Sequence, residues 1–257
     1  MKDILGQAIH DHYHKSANHK LWINNQYGPK EEMPVDIYFR DEDDMPDIEW
    51  LAMNECRGTV LDIGAGAGSH ALVLHERGFD CTALDISPLA CDVMKERGVN
   101  KVLKGDIFVY DKQKYDTLLL LMNGIGLAGT LENLKMFLQH IKLLLNPGGQ
   151  ILFDSSDIAY LYEDGLPEKG YYGELLYQYQ YNRQKTDWFP WLYVDEKTLE
   201  PIVNEAGFDM EVLLEDEFKQ YLVRLTSPTQ PSPEGRALKS SKRSLPNRGR
   251  FRGATDQ

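Results

Sequence analysis

The chain has 257 residues, 42% of them hydrophobic and 11% aromatic, which is enough for one sizeable domain with appendages. Its net charge of −12 argues against a nucleic-acid partner, whose backbone needs clustered cations. No apolar run approaches the roughly 18–20 residues of a membrane span, and the opening MKDILGQAIHDHYHK does not read as an export signal.

Residues 1–54 read as a helical start followed by an acidic, loop-like stretch that includes RDEDDMPD, together an N-terminal cap. On a helix His10 and His14 lie one turn apart, but no third ligand has suitable spacing, so no metal is expected. Cys56, Cys81 and Cys91 fit no zinc or redox motif. Reduced thiols in a cytoplasmic protein are the expectation.

From residue 55 strands and helices alternate. TVLDIG (59–64) is a strand and SHALVLHERG (69–78) a helix stopped by Gly78. FDCTALDIS (79–87) follows as a second strand. The next helix has Ser87 as cap, Pro88 at its first position and Gly98 at its end. KVLKGDIF (101–108) and YDTLLLLMN (115–123) supply two more strands. Thr130 caps a helix running to about Leu145, and the turn NPGG leads into a fifth strand, QILFDSS (150–156). A helix from Asp195 to Ala206 precedes FDMEVLLEDE and FKQYLVRL, close enough in sequence to pair as an antiparallel hairpin. This order predicts a doubly wound α/β fold, a mostly parallel seven-stranded sheet with an antiparallel last strand.

Two segments stand outside the alternation. An insertion over 158–194 holds Tyr160, Tyr162, Tyr171, Tyr172, Tyr177, Tyr179, Tyr181 and Tyr193 among the chain's fourteen tyrosines. Within it LLYQYQY alternates as a strand does, with Tyr177, Tyr179 and Tyr181 on one side. The stretch 227–257 is rich in Ser, Pro, Gly and Arg, and reads as a disordered basic tail.

The segment LDIGAGAGSH carries the first chemical signal. Gly64, Gly66 and Gly68 give G-x-G-x-G, and Ser69 stands where the third glycine of a dinucleotide fingerprint belongs. Such glycines let the backbone approach a ligand closely, ahead of a helix that offers unpaired N–H groups. Asp62, in the strand before the turn, repels a pyrophosphate but suits a cationic amine. Asp85 ends the second strand, where it can accept from both hydroxyls of a ribose, and Asp106 ends the third, where it can accept from an exocyclic amine.

Across residues 55–226 the chain resembles the class I S-adenosylmethionine-dependent methyltransferases, with a Rossmann-like fold. VLDIGAGAG is similar to that family's first motif, ALDIS to its acidic second and LKGDIF to its third. YDTLLLLMNGIG matches the fourth strand, and LLLNPGGQILFDSSD the turn and strand beyond it. The resemblance implies S-adenosylmethionine as cofactor. It assigns Asp62, Gly64, Ala65 and Gly66 to the methionine end, and Asp85 to the ribose with Ile86 against the adenine. Asp106 and the backbone of Ile107 fall to the adenine edge, and Asn123 and Gly124 line the methionine portion near sulfur. It also implies that the N-terminal helix closes over the cofactor, which brings Tyr13 and His14 toward the methionine carboxylate or the substrate.

On the acceptor side, Asp154 and Asp157 in DSSD lie at the fifth strand's end, beside the expected transfer position. The aromatic insertion, with Tyr160 and Trp188, is either a substrate lid or a packing surface that a homodimer would use. The function expected is methyl transfer to a small-molecule acceptor. The alternatives are a protein or nucleic-acid acceptor, or a catalytically idle cofactor-binding module. The catalytic residue is not legible, because displacement on an activated methyl needs alignment more than a dedicated acid or base.

Overall fold

Four consecutive leucines can be buried together only if alternate side chains enter two different cores, and this is how the chain solves the run 118–121. In the computed structural model Leu118 and Leu120 join one hydrophobic cluster, Leu119 and Leu121 another on the opposite face of the sheet. The same split places Ile151 and Phe153 on one side and Leu152 on the other. The structure describes residues 2–17, 19–162 and 165–228. The tail read over 227–257 lies outside them from residue 229 on.

In chain order the elements are α1 (Ile4–His14), β1 (Trp22–Asn25), β2 (Glu31–Glu32), α2 (Asp47–Asn54), β3 (Thr59–Ile63), α3 (Ser69–Glu76), β4 (Asp80–Asp85), α4 (Pro88–Glu96), β5 (Val102–Lys104) and β6 (Tyr115–Leu120). There follow α5 (Leu131–Lys142), β7 (Leu145–Ser156), β8 (Glu174–Tyr181), β9 (Gln184–Lys185), β10 (Phe189–Leu192), α6 (Glu196–Glu205), β11 (Asp209–Glu215) and β12 (Gln220–Thr226). Ser87 and Thr130 cap where the sequence placed them, Ser87 Oγ accepting from Ala90 N–H and Thr130 Oγ1 from Asn133 N–H, and Asp195, read as the first residue of its helix, is its cap, accepting from Lys197 and Thr198 N–H.

The main sheet has seven strands in the order β11-β12-β7-β6-β3-β4-β5. Its five central and edge strands from β7 to β5 run parallel, and β12 inserts antiparallel between β7 and β11. Side chains of α2, α3 and α4 enter the cluster on one face, those of α5 and α6 the cluster on the other. This is the doubly wound α/β sheet with an antiparallel last strand that the sequence pattern predicts. No helix among the described residues is long and apolar enough to cross a membrane.

Several boundaries differ from the sequence reading. β6 stops at Leu120 because Met122 and Asn123 take left-handed backbone, φ 63° and 56°. α5 ends at Lys142, and β7 already begins at Leu145, absorbing NPGG as an irregularity between the Tyr115–Leu145 and Thr117–Gln150 pairs. The larger difference lies in residues 1–54, where the acidic stretch contains α2 and the segment before it two short strands. β1 pairs with β8 of the insertion, so that β10-β8-β1-β2, with β9 on β8, form a second, antiparallel sheet. Pairing over so long a separation leaves no local pattern to read.

Candidate functional site

The carboxyl ends of parallel strands leave unpaired backbone and a crevice between diverging loops, where sheets of this kind bind ligands. Here β3, β4 and β5 end in Asp62-Ile63, Asp85 and the Gly105-Asp106 turn, and all three aspartates line one cavity of about 720 Å³. Gly64, Ala65, Gly66, Ile86, Ile107 and Gly124 line it as well.

The glycines are there for backbone reasons. Gly64, Gly66 and Gly68 have φ of 74°, 57° and 84°, a region that costs a residue with a Cβ. A Cβ on Gly66 would also stand 3.2 Å from Tyr38 Cδ1. Asp85 organises the loop, its Oδ2 accepting from Gly66 N–H and its Oδ1 from Ser87 N–H, both at 2.8 Å. Burial pushes the Asp85 carboxyl up, while those two N–H donors pull it back. Asp106 accepts from Phe108 N–H at 2.9 Å.

Asp62 is 2% exposed, and its Oδ2 has no hydrogen-bond partner in the protein. Burial raises it to about 6, against the opposing charge of His70. His70, on the first turn of α3, meets Glu49 of α2 through Nε2 at 2.9 Å, and Glu49 also pairs with Arg40. Burial pulls the His70 imidazole down, but the Glu49 hydrogen bond and the Asp62 charge offset this and leave it raised. Arg40, Glu49 and His70 all line the cavity, and Arg40 Nε is buried without a partner. None of the three stood out in the sequence. His70 directly follows the glycine turn, but Arg40 and Glu49 sit in the acidic stretch, whose charges look like a solvated face.

Among the residues assigned to the cofactor, Asn123 does not line the cavity. Its backbone N–H donates to both Asp154 oxygens at 2.8 Å and its Nδ2 to Leu192 O at 3.1 Å. It fastens the loop after β6, whose Gly124 faces the cavity.

The six acceptor-side candidates all fall outside the cavity wall. Asp154 is fully buried beneath the loop it anchors; burial raises it to about 6, and the donors Asn123 and Gln220 oppose the rise. Asp157 accepts from Ala159 N–H and from the Tyr172 hydroxyl at 2.7 Å, a turn-forming role. Tyr13 lies parallel to Phe39, ring centroids 6.3 Å apart, and does not line the cavity. His14 packs on His10 and stands 3.5 Å from Glu96. Tyr160 and Trp188 are 63% and 49% exposed. From the segment leading into α1 and from α1 itself it is instead Lys2, Asp3, Leu5 and Ile9 that reach the cavity, and Asp3 Oδ2 holds Ser87 Oγ at 2.7 Å.

The insertion contributes through strand alternation. Tyr177, Tyr179, Phe189 and Trp191 project from β8 and β10 into the cavity opposite the strand ends. Among the described residues no group of three His, Cys, Asp or Glu is arranged to hold a metal.

The methyltransferase-domain family matches residues 48–213. A crystal structure of a SAM-dependent methyltransferase from Bacteroides fragilis, in complex with S-adenosyl-L-homocysteine, is 42% identical. That likeness covers 89% of this chain and 96% of that one, with a TM-score of 0.83. The CcbJ methyltransferase of Streptomyces caelestis is 15% identical over 76% of this chain and 96% of its own, TM-score 0.58. The sugar N-methyltransferase KedS8 of Streptoalloteichus is 16% identical over 80% and 97%, TM-score 0.54. At such identities these last two share the fold alone. Among curated proteins none matches the sequence.

Proposed function

The chain belongs to the methyltransferase-domain family, and from that premise we propose that it transfers the methyl group of S-adenosylmethionine to a small-molecule acceptor in the cavity between its two sheets. The observation that carries this reading is the convergence of the glycine turn and three strand-end aspartates on one cavity with an aromatic opposite wall.

The residues present fit the cofactor. Asp62 Oδ2 is a buried acceptor without a donor, a costly state that an α-ammonium relieves. Arg40 Nε is a buried donor without an acceptor, the complementary need for an α-carboxylate. The positive-φ glycines bare the backbone between them, Asp85 takes the ribose hydroxyls, and Asp106 with Ile107 takes the adenine edge. When bound, the cofactor supplies a methyl carbon already activated by a sulfonium. What remains for the protein is to align the acceptor and to exclude water. Tyr177, Tyr179 and Tyr193 serve exclusion; burial raises their phenols, so they keep their protons. Residues 2–9, which lead into and begin α1, cover the site, tied down through Asp3 and Ser87.

The test is incubation with methyl-labelled S-adenosylmethionine and a cell extract separated into small-molecule, protein and nucleic-acid fractions. Label in the small-molecule fraction is expected. Label confined to protein or nucleic acid overturns the acceptor class. No label anywhere, with cofactor affinity intact, makes the chain an idle binding module.

A further inference from the structure

The wall that faces the strand ends has a chemistry of its own. In the β8–β10 ladder Tyr177 stands opposite Phe189, and Tyr179 stands opposite Ile23 in the β8–β1 ladder. Residues opposite one another in an antiparallel pair share a face, so these four side chains form one surface, which Trp191 extends along β10. All five line the cavity. The charged side chains that line it come from elsewhere: the start of α1, the Arg40–Glu49–His70 cluster and the strand-end aspartates. Among the described residues, the side chains of β8 and β10 that line the cavity carry no charge; Glu31 of β2, opposite Ile23, shares this face of the sheet but does not line the cavity.

The wall is also packed in place. The Trp191 indole is seated on Gly126 of the loop after β6, where a Cβ would come within 2.2 Å of Nε1, and Pro190 sits on Gly129 in the same way at 2.9 Å. Tyr179 and Phe189 pack with ring centroids 5.1 Å apart. The Tyr177 hydroxyl donates to that of Tyr193 at 3.1 Å, so the phenols at this end partner one another. A charged group brought here would lose its water, and the lining side chains of β8 and β10 offer it no counter-charge. A flat uncharged ring loses little and gains the offset or edge contacts that aromatic pairs prefer.

We propose that the acceptor is an uncharged aromatic small molecule, whose ring lies against Trp191, Phe189, Tyr177 and Tyr179 and whose hydroxyl or amine points toward the strand ends. This rests on the reading that the strand-end aspartates hold the cofactor, because that reading makes the aromatic wall the acceptor's side.

The experiment is a saturation-transfer NMR series on the full chain loaded with S-adenosylhomocysteine. The probes are benzyl alcohol, cyclohexylmethanol, benzoate and benzylamine, the last protonated at neutral pH. Benzyl alcohol is expected to bind, cyclohexylmethanol several-fold more weakly, and the two ions at least about tenfold more weakly. Phe189→Arg is expected to reverse the order of benzoate and benzyl alcohol while leaving S-adenosylhomocysteine affinity unchanged. An ion that binds the native protein as well as the alcohol, or a saturated ring that equals the aromatic one, overturns the proposal. So does an absence of benzyl alcohol binding to the loaded protein. Failure of S-adenosylhomocysteine itself to bind is a separate result, which overturns the cofactor reading and this proposal with it.

Discussion

On the side of the seven-stranded sheet the cavity wall is polar and built from strand ends: Asp62, Asp85 and Asp106 lie at the carboxyl ends of β3, β4 and β5, and the glycine turn lies between the first two. On the other side the wall is apolar and assembled from afar, β1 pairing with β8 so that Asn24 reaches Gln178 across 154 residues of sequence. The first wall offers a ligand fixed hydrogen-bonding groups, which demands particular backbone angles and particular acids. The second offers shape and a dry apolar surface, which many arrangements of aromatic residues can supply. Substitutions should therefore have sharp, group-specific effects on the first wall and graded effects on the second.

The largest expected effect is on the polar wall. Glu49→Leu leaves Arg40 and His70 without their shared buried partner, and should cost about 3–5 kcal/mol of stability in urea unfolding. A cost below about 1 kcal/mol would mean that the cluster is not a coupled unit. Gly66→Ala puts a Cβ at φ 57° and 3.2 Å from Tyr38, and should weaken S-adenosylhomocysteine binding by about 1–2 kcal/mol. Unchanged affinity would show that the loop has room to adjust.

The pH dependence follows from Asp62. Its folded value of about 6 lies above the ordinary 3.8, so the ligand-free fold holds a proton that the unfolded chain releases. The stability this group contributes is present below about pH 4 and is lost as pH rises through 6. Binding a cationic amine favours the carboxylate, so cofactor affinity should rise up to about tenfold between pH 5 and 7. Calorimetry in buffers of different ionisation enthalpy should detect proton release below pH 6, and Asp62→Asn should abolish both effects. A slope that persists in Asp62→Asn would assign the titration to another group. The smallest effect belongs outside both walls: Trp188→Ala, half-exposed, should change stability and cofactor affinity by less than about 0.5 kcal/mol. A larger loss would mean that Trp188 supports the packing of one of the two walls.

How far the sequence reveals the site follows the same division. The strand ends are legible because a strand, a turn and a helix start leave a local pattern of apolar residues, glycines and one acid. Ser69 even marks a second function, since its Oγ donates to Tyr38 O and draws residues 35–40 over the glycine turn. Arg40 and Glu49 are hidden because a buried ion pair in an acidic stretch looks like surface until its partner is placed. Asp154 is misleading for the opposite reason: a strand-end carboxylate suggests substrate, yet the loop of Asn123 folds over it and uses it as an anchor. The tyrosines at 177 and 179 are readable as one face of a strand. What that face meets depends on β1 and β10, which no periodicity reports.

Asp85 offers the most direct test, because the account assigns it both the ribose and the Gly66 N–H. In calorimetric titration the native protein is expected to bind S-adenosylhomocysteine, and Asp85→Ala to bind it about 1.5–3 kcal/mol more weakly through lost charge-assisted hydrogen bonds. Equal affinity in the two proteins, or no binding by the native one, would contradict the claim that the strand-end aspartates hold the cofactor.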